Sequence, residues 1–521
     1  MVARLTALEC LNTYSLDTAA PSLPEITRVL VDGQWDNPNY WFRYALLRRA
    51  IGLQNTEEIG VLGKYSRAKV RKSFSAIGIE TLVDYSLAEK PSRQHREQAK
   101  KLLRVVTKPS DILDIKLPCG LPGGFLYDEI LKRQRRPYVD LKDQSVVNIT
   151  SKAIACAGAA EEILRNRKFD LVVLSHALGV SYAALACAAI KMGIPVVVLY
   201  GNFGVSGFIR IKKKADLFAY PGRPSCSEMN GMQEEAREQL TKQGAKYLQA
   251  RMVGKTDDVG SVYAYRKRLN PINREGLASS LGWDGSKPMI GVYNSNWFDF
   301  PHAHGLKEFR DFHDWIAQTI KVAKANQSVN WLFKAHPCDD WYGSIQGERL
   351  EDMVAAIGMP HIRMVDKSIN SRDLIRSLDG FITCHGTIGV EAAAMGKPVL
   401  TPYPGWYGHG GFVVTAGNRA KYLDALSGEW WKKNRLIGAD KKAQLFAGWM
   451  FCTPEWQRGF VLMDDSCQDE IYNNMEDFMR QNKPQIEFEV NTIRKWYIDG
   501  HLYYHTFKMI NSDCFCAPVK G

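Results

Sequence analysis

Two short apolar runs on either side of an alanine-rich stretch constrain this chain more than any other feature. Residues 170–175 (DLVVLS) and 194–200 (IPVVVLY) are almost free of polar side chains, the pattern of strands covered on both faces in a parallel sheet. Residues 181–191 between them read as a helix that Gly193 ends, and 152–167 has helical spacing, so the segment parses as a strand–helix–strand crossover. The rhythm returns further on. MIGVYNS, NWLFK, GFITCH and PVLTP read as strands, with helices over 306–326, 372–377 and 390–395. A chain of 521 residues exceeds what one core supports. The repetition therefore predicts an α/β protein of two Rossmann-like domains facing each other across a cleft, spanning 106–270 and 271–440. Residues 1–105 read as a helical, irregular addition, and 441–521 as a helical segment that packs back on the first domain. Within the first domain DILDIKLP reads as a strand, 120–124 as a glycine-rich turn and FLYDEILKRQRR as a helix with a basic end.

Composition narrows the function classes. The net charge of +12 suits anionic partners or a basic, solubilising surface. The basic residues are dispersed and no nucleic-acid-binding motif accompanies them, so nucleic acid is not an expected partner. Eleven cysteines, odd in number and mostly far apart, fit reduced thiols; the Cys514–Cys516 pair lacks the second ligand pair a metal site needs. MVARLTALECLNTYSLD has no apolar stretch behind its arginine, so a cytoplasmic protein is expected, with any contact with the inner membrane peripheral.

Three segments carry chemistry. NWLFKAHP places Lys334 and His336 at the carboxyl end of a strand, where ligands bind in open α/β sheets; an ammonium and an imidazole there can meet a phosphate. DGFITCHGTIGVEAAAMGKPV runs from a strand through His385, Gly386 and Thr387 into a helix. The helix start can take an anion, and Glu391 one turn on can accept from ribose hydroxyls. NSNWFDFPHAHG brings Asp299, His302 and His304 into one loop, suited to substrate contact; His-x-His is also a metal-ligand spacing, without an evident partner ligand. In the first domain His176 ends DLVVLS and can act as a general base, with Asp128 in GGFLYDEIL as the rival base or nucleophile. The glycine-containing segment 201–204 (GNFG) suits a loop that shapes the acceptor side.

The pairing of the His336–Pro337 strand end with the Gly386-Thr387-x-Gly389-x-Glu391-Ala392 turn and Gly396-Lys397-Pro398-Val399 resembles the capsule-polysaccharide biosynthesis proteins, bacterial Kdo transferases among them. The resemblance covers about 110–410. It implies a GT-B fold, a nucleotide-sugar donor (CMP-linked in those relatives) with His336 on its phosphate, a glycan or glycolipid acceptor, no cofactor and no bound metal. The retaining transferases that use paired glutamates would want an acid at 383, and Thr383 stands there. A nucleotide-sugar 2-epimerase, or a non-catalytic capsule-assembly protein that keeps the fold, uses the same grip on the nucleotide.

Overall fold

The structure is a computed structural model and describes residues 2–13, 26–200, 207–218, 224–256, 265, 270–337, 339, 343, 345, 347–366, 369–433, 436–452 and 473–505. Its strands are β1 (Arg28–Val31), β2 (Glu57–Leu62), β3 (Leu82–Asp84), β4 (Leu171–Leu174), β5 (Val196–Tyr200), β6 (Gly207–Ile211), β7 (Met289–Tyr293), β8 (Asn330–Lys334), β9 (Ile362–Met364), β10 (Gly380–Thr383), β11 (Val399–Thr401), β12 (Val414–Thr415) and β13 (Tyr503–His505). The chain divides into two units, Met1–Leu126 with Gln144–Leu217 and Thr453–Gly521, and Tyr127–Asp143 with Phe218–Cys452.

The first unit holds a sheet in the order β3-β2-β1-β4-β5-β6-β13, parallel from β3 to β5, with β6 and β13 antiparallel. Every residue of β4 is buried, as its apolar run requires. Gly33 ends β1 beside the helix Arg67–Ala76; a Cβ there would lie 2.5 Å from Phe74 Cε2, so only glycine lets that helix lie down on the sheet. The second sheet is wholly parallel in the order β9-β8-β7-β10-β11-β12. In both sheets the chain works outward from its first strand and then crosses to the other side. Each sheet therefore has a doubly wound switch point, between β1 and β4 and between β7 and β10. The α/β class with two Rossmann-type sheets is as the alternation predicts. No helix among the described residues is long and apolar enough to cross a membrane.

Several expected boundaries move. Residues 1–105 contribute β1, β2 and β3 to the first sheet rather than forming a helical addition. RVLV is only four residues long and EEIGVL opens on two acids, so neither stands out as an apolar run. DILDIKLP is no strand. Asp111 accepts from the backbone N–H groups of Thr107 and Lys108 and from the Thr107 hydroxyl, which winds Pro109–Asp114 into a 3-10 turn. The helix Glu234–Arg251, placed by sequence in the first domain, belongs to the second unit, as does Ala439–Phe451. These two helices cross glycine against backbone: a Cβ on Gly244 would lie 1.9 Å from the Gln444 carbonyl oxygen, and one on Gly448 would lie 2.1 Å from that of Leu240. Only the last part of the chain returns to the first unit, through the helix Lys483–Asp499 and β13, where Tyr504 stacks on Phe208 with ring centroids 5.2 Å apart. The helix over 306–326 starts only at Phe312, where the Asp311 carboxylate caps it by accepting from Asp314 N. The 201–204 loop and residues 453–472 of the expected helical segment 441–521 lie outside the described residues. The seven described cysteines are free thiols, and Cys514 and Cys516 also lie outside.

Candidate functional site

The carboxyl ends of β10, β7 and β8, three neighbouring strands at the switch point of the second unit, carry most of the residues singled out by sequence. His385 follows β10, and its ring lies 5.0 Å from that of His304, centroid to centroid. Burial holds the His385 imidazole well below the usual histidine range, and the neighbouring His304 and His336 push it the same way. Burial also lowers His336, against the pull of the Asp299 carboxylate. Asp299, His304, His336 and His385 therefore form one electrostatic neighbourhood, and near neutral pH His336 and His385 are uncharged rings with one N–H donor each.

Aromatic residues of the segment after β11 fix the 383–387 turn. Tyr403 Oη lies 2.9 Å from His385 Nδ1, Trp406 Nε1 donates to the His385 carbonyl at 2.7 Å, and Tyr407 Oη donates to the Gly386 carbonyl at 3.0 Å. Tyr407 also explains Gly389, because a Cβ there would lie 2.3 Å from its hydroxyl oxygen. Gly386 and Thr387 border the turn, half-buried. The helix after them, Ile388–Ala394, spans seven residues, so the loop owes its shape to these side chains.

The residues after β7 supply what the sequence reading passed over. Asn294 and Ser295 are 5% and 4% exposed, and neither the Asn294 amide nor the Ser295 hydroxyl has a hydrogen-bond partner among the described residues. Buried polar side chains ordinarily find partners, so these atoms are available to a bound polar group. Asp339 ties the two neighbouring loops together: Asn296 Nδ2 donates to it at 3.0 Å and the His336 backbone N–H at 3.2 Å. NSN was legible as a polar loop, but nothing local marked which of its side chains the fold would leave buried and unpaired.

Lys334 and Glu391 lie deeper than the sequence suggests. The Lys334 ammonium donates to Ser371 Oγ and sits 5.5 Å from the centre of the Tyr293 ring; burial pushes it down to about 8, with the Glu391 carboxylate opposing. Glu391 is 3% exposed. One oxygen accepts from Arg251 Nε at 2.7 Å and the other from Tyr265 Oη at 2.6 Å. In this arrangement its carboxylate anchors the Ile388–Ala394 helix, and the one hydroxyl it holds is the protein's own.

Asp128 belongs to the second unit, not the first. It is fully buried, and its oxygens accept from the backbone N–H groups of His302 and Ala303 and lie 2.6 Å from His302 Nδ1. Surrounded in this way it orients His302. His302 and His304 point to different partners, Asp128 and His385. Among the described residues no group of three or more histidine, cysteine, aspartate or glutamate side chains is placed to hold a metal ion.

His176 lies at the switch point of the first unit, after β4. Its Nδ1 is 3.0 Å from Ser175 Oγ, and that hydroxyl donates to Asp32 Oδ2 at 2.5 Å. Asp32, at the end of β1, is 1% exposed and also accepts from the backbone N–H groups of Ser175 and Gln34. Because the serine proton is committed to Asp32, His176 Nδ1 must be the donor in their contact, leaving Nε2 as the basic nitrogen. Asp32 and Ser175 were missed because 143 residues separate them, and only the pairing of β1 with β4 unites them.

No family model matches the chain, and no curated protein does. Among solved structures, KpsC of Thermosulfurimonas dismutans, a β-Kdo 2,4 transferase, is 14% identical over 54% of this chain and 79% of its own, with a TM-score of 0.33. A putative UDP-N-acetylglucosamine 2-epimerase from Listeria monocytogenes is 12% identical, covering 81% of this chain and 94% of its own, with a TM-score of 0.26. The UDP-GlcNAc 2-epimerase of Neisseria meningitidis, bound to UDP-GlcNAc, is 10% identical, covering 91% and 99%, with a TM-score of 0.26. All three likenesses are distant in sequence and in superposition.

Proposed function

We propose that this chain is a glycosyltransferase that takes a sugar from a nucleotide-activated donor and passes it to a hydroxyl of a glycan or glycolipid. One observation carries the reading: buried, unpartnered hydrogen-bonding atoms of Asn294 and Ser295 stand among uncharged histidines at the switch point of a doubly wound parallel sheet. Such a crevice suits a nucleotide phosphate. His336 and His385 donate N–H groups to its oxygens and Lys334 supplies positive charge. These donors strengthen as negative charge collects on the departing nucleotide in a site with little water.

In the first unit, His176 is the general base. The acceptor O–H gives its proton to Nε2 while the oxygen bonds to the anomeric carbon, and the bond from that carbon to the nucleotide phosphate oxygen breaks. Ser175 and Asp32 keep the imidazole in the tautomer that this step needs.

Incubation with a panel of nucleotide sugars, with and without glycan acceptors, tests the proposal. Nucleotide release that requires acceptor supports transfer. An altered sugar formed without acceptor makes the chain an epimerase, and binding without turnover makes it a non-catalytic member of the fold.

A further inference from the structure

The amino-terminal edge of the first sheet, at the opposite end of its strands from His176, carries a feature that the proposed transfer does not use. A cavity of about 910 Å³ opens there beneath the starts of β4 and β5 and the end of β6. Four cations line it: Arg165, Lys168, Arg210 and Lys212. The one acid in its wall, Asp170, is already engaged, its Oδ2 accepting from Thr27 N, Thr27 Oγ1 and Arg28 N.

Arg210 is 9% exposed and its Nε has no hydrogen-bond partner among the described residues, while its guanidinium carbon lies 4.3 Å from the centre of the Tyr497 ring. Its Nη2 donates to the Tyr497 carbonyl, so the planar guanidinium is fixed against the aromatic face, and its remaining N–H groups can grip an oxyanion. Lys212 converges on the same point: a Cβ on Gly500 would lie 3.5 Å from Arg210 Nη1 and 3.7 Å from Lys212 Nζ. The floor is apolar, with Phe169 and Pro195, and Ile498 stands 57% exposed at the rim.

We infer that this cavity binds a phosphate group, with Arg210 and Lys212 on its oxygens, Arg165 and Lys168 at the rim, and the floor against the apolar part of the molecule that bears it. A phospholipid headgroup and a soluble phosphate ester offer the same chemistry. The inference stands apart from the proposed transfer, because none of these residues lies at either switch point.

The test uses the full chain in two arms. One is co-sedimentation with phosphatidylglycerol vesicles against phosphatidylcholine vesicles; the other is calorimetric titration with inorganic phosphate and pyrophosphate. The Lys168→Glu/Lys212→Glu double variant changes only exposed side chains, and Arg165→Glu is the second variant. Binding should weaken about tenfold or more in the double variant and fall with added salt, at an unchanged melting temperature. Loss of sedimentation assigns a lipid headgroup, and loss of a calorimetric signal that His336→Ala retains assigns a soluble phosphate. Absence of binding in both arms, or binding by both variants equal to that of the unsubstituted chain, overturns the inference.

Discussion

Asp128 holds His302 at two places at once, accepting from its backbone N–H at 3.0 Å and lying 2.6 Å from its ring Nδ1. A carboxylate used in this way sets the course of the 301–305 turn, including where His304 stands relative to His385. Asp128→Ala leaves three buried donors without an acceptor, each costing about 1–3 kcal/mol, so unfolding free energy should fall by about 3 kcal/mol or more. Asp128→Asn keeps an acceptor for the backbone and should cost much less. Denaturant unfolding of both variants, read beside turnover, decides the matter. Inactivity of both at unchanged stability would return Asp128 to the role of nucleophile.

The pairing of Glu391 with Arg251 makes a second prediction. Both side chains are buried, with side-chain exposures of 4% and 5%. Removing one partner of a buried pair strands the other, at a cost of about 3–5 kcal/mol. Glu391→Ala should therefore melt at a distinctly lower temperature, and Glu391→Ala/Arg251→Met should recover part of the loss. If Glu391→Ala keeps its melting temperature and loses only nucleotide affinity, the carboxylate serves the ribose instead.

These two cases mark where sequence stops being legible. β4, β5, β8 and β10 were visible because a parallel strand buried on both faces has to be apolar along its length. The strand ends were visible as well, because chemistry at a switch point follows directly from strand position. Glu391 was misjudged for a different reason. Its partners Arg251 and Tyr265 are 140 and 126 residues away, in the part of the chain that the sequence reading assigns to the first domain. The close crossing of Gly244 and Gly448 that brings this stretch into the second unit leaves no local pattern, since a lone glycine in a helix reads only as a weak spot. Asp32 stayed hidden because β1 is four residues long.

Lys334 should give the site a pH dependence of its own. An exposed lysine stays charged to about pH 10.4, but burial brings this one down to about 8. An anion binds the protonated form more tightly, so affinity for a nucleotide diphosphate should fall as pH rises through about 8 and level off once the lysine is neutral. Proton uptake on binding near pH 8, measured by calorimetry in two buffers of different ionisation enthalpy, is the direct readout. Lys334→Met should abolish both the uptake and the slope. A slope that persists in that variant would assign the effect to another group.

The last prediction concerns the relay from Asp32 through Ser175 to His176, and it rests on the proposed transfer. Ser175→Ala removes the hydroxyl that accepts from His176 Nδ1 and so releases the imidazole to adopt either tautomer. It also leaves Asp32 with its two backbone donors, Ser175 N and Gln34 N, so the β1–β4 junction survives. A general base contributes about 10²–10⁴-fold to rate. His176→Ala should lose most of that, and Ser175→Ala a fraction of it, in kcat with donor KM unchanged. Ser175→Thr keeps the hydroxyl and should restore the rate, which a purely structural role would not require, because threonine adds a methyl group to a residue only 6% exposed. In His176→Ala the serine should cease to matter, so the double variant with Ser175→Ala should be no slower than His176→Ala alone. Independent, multiplying losses in that double variant would show that Ser175 acts on something other than the imidazole, and would break the relay.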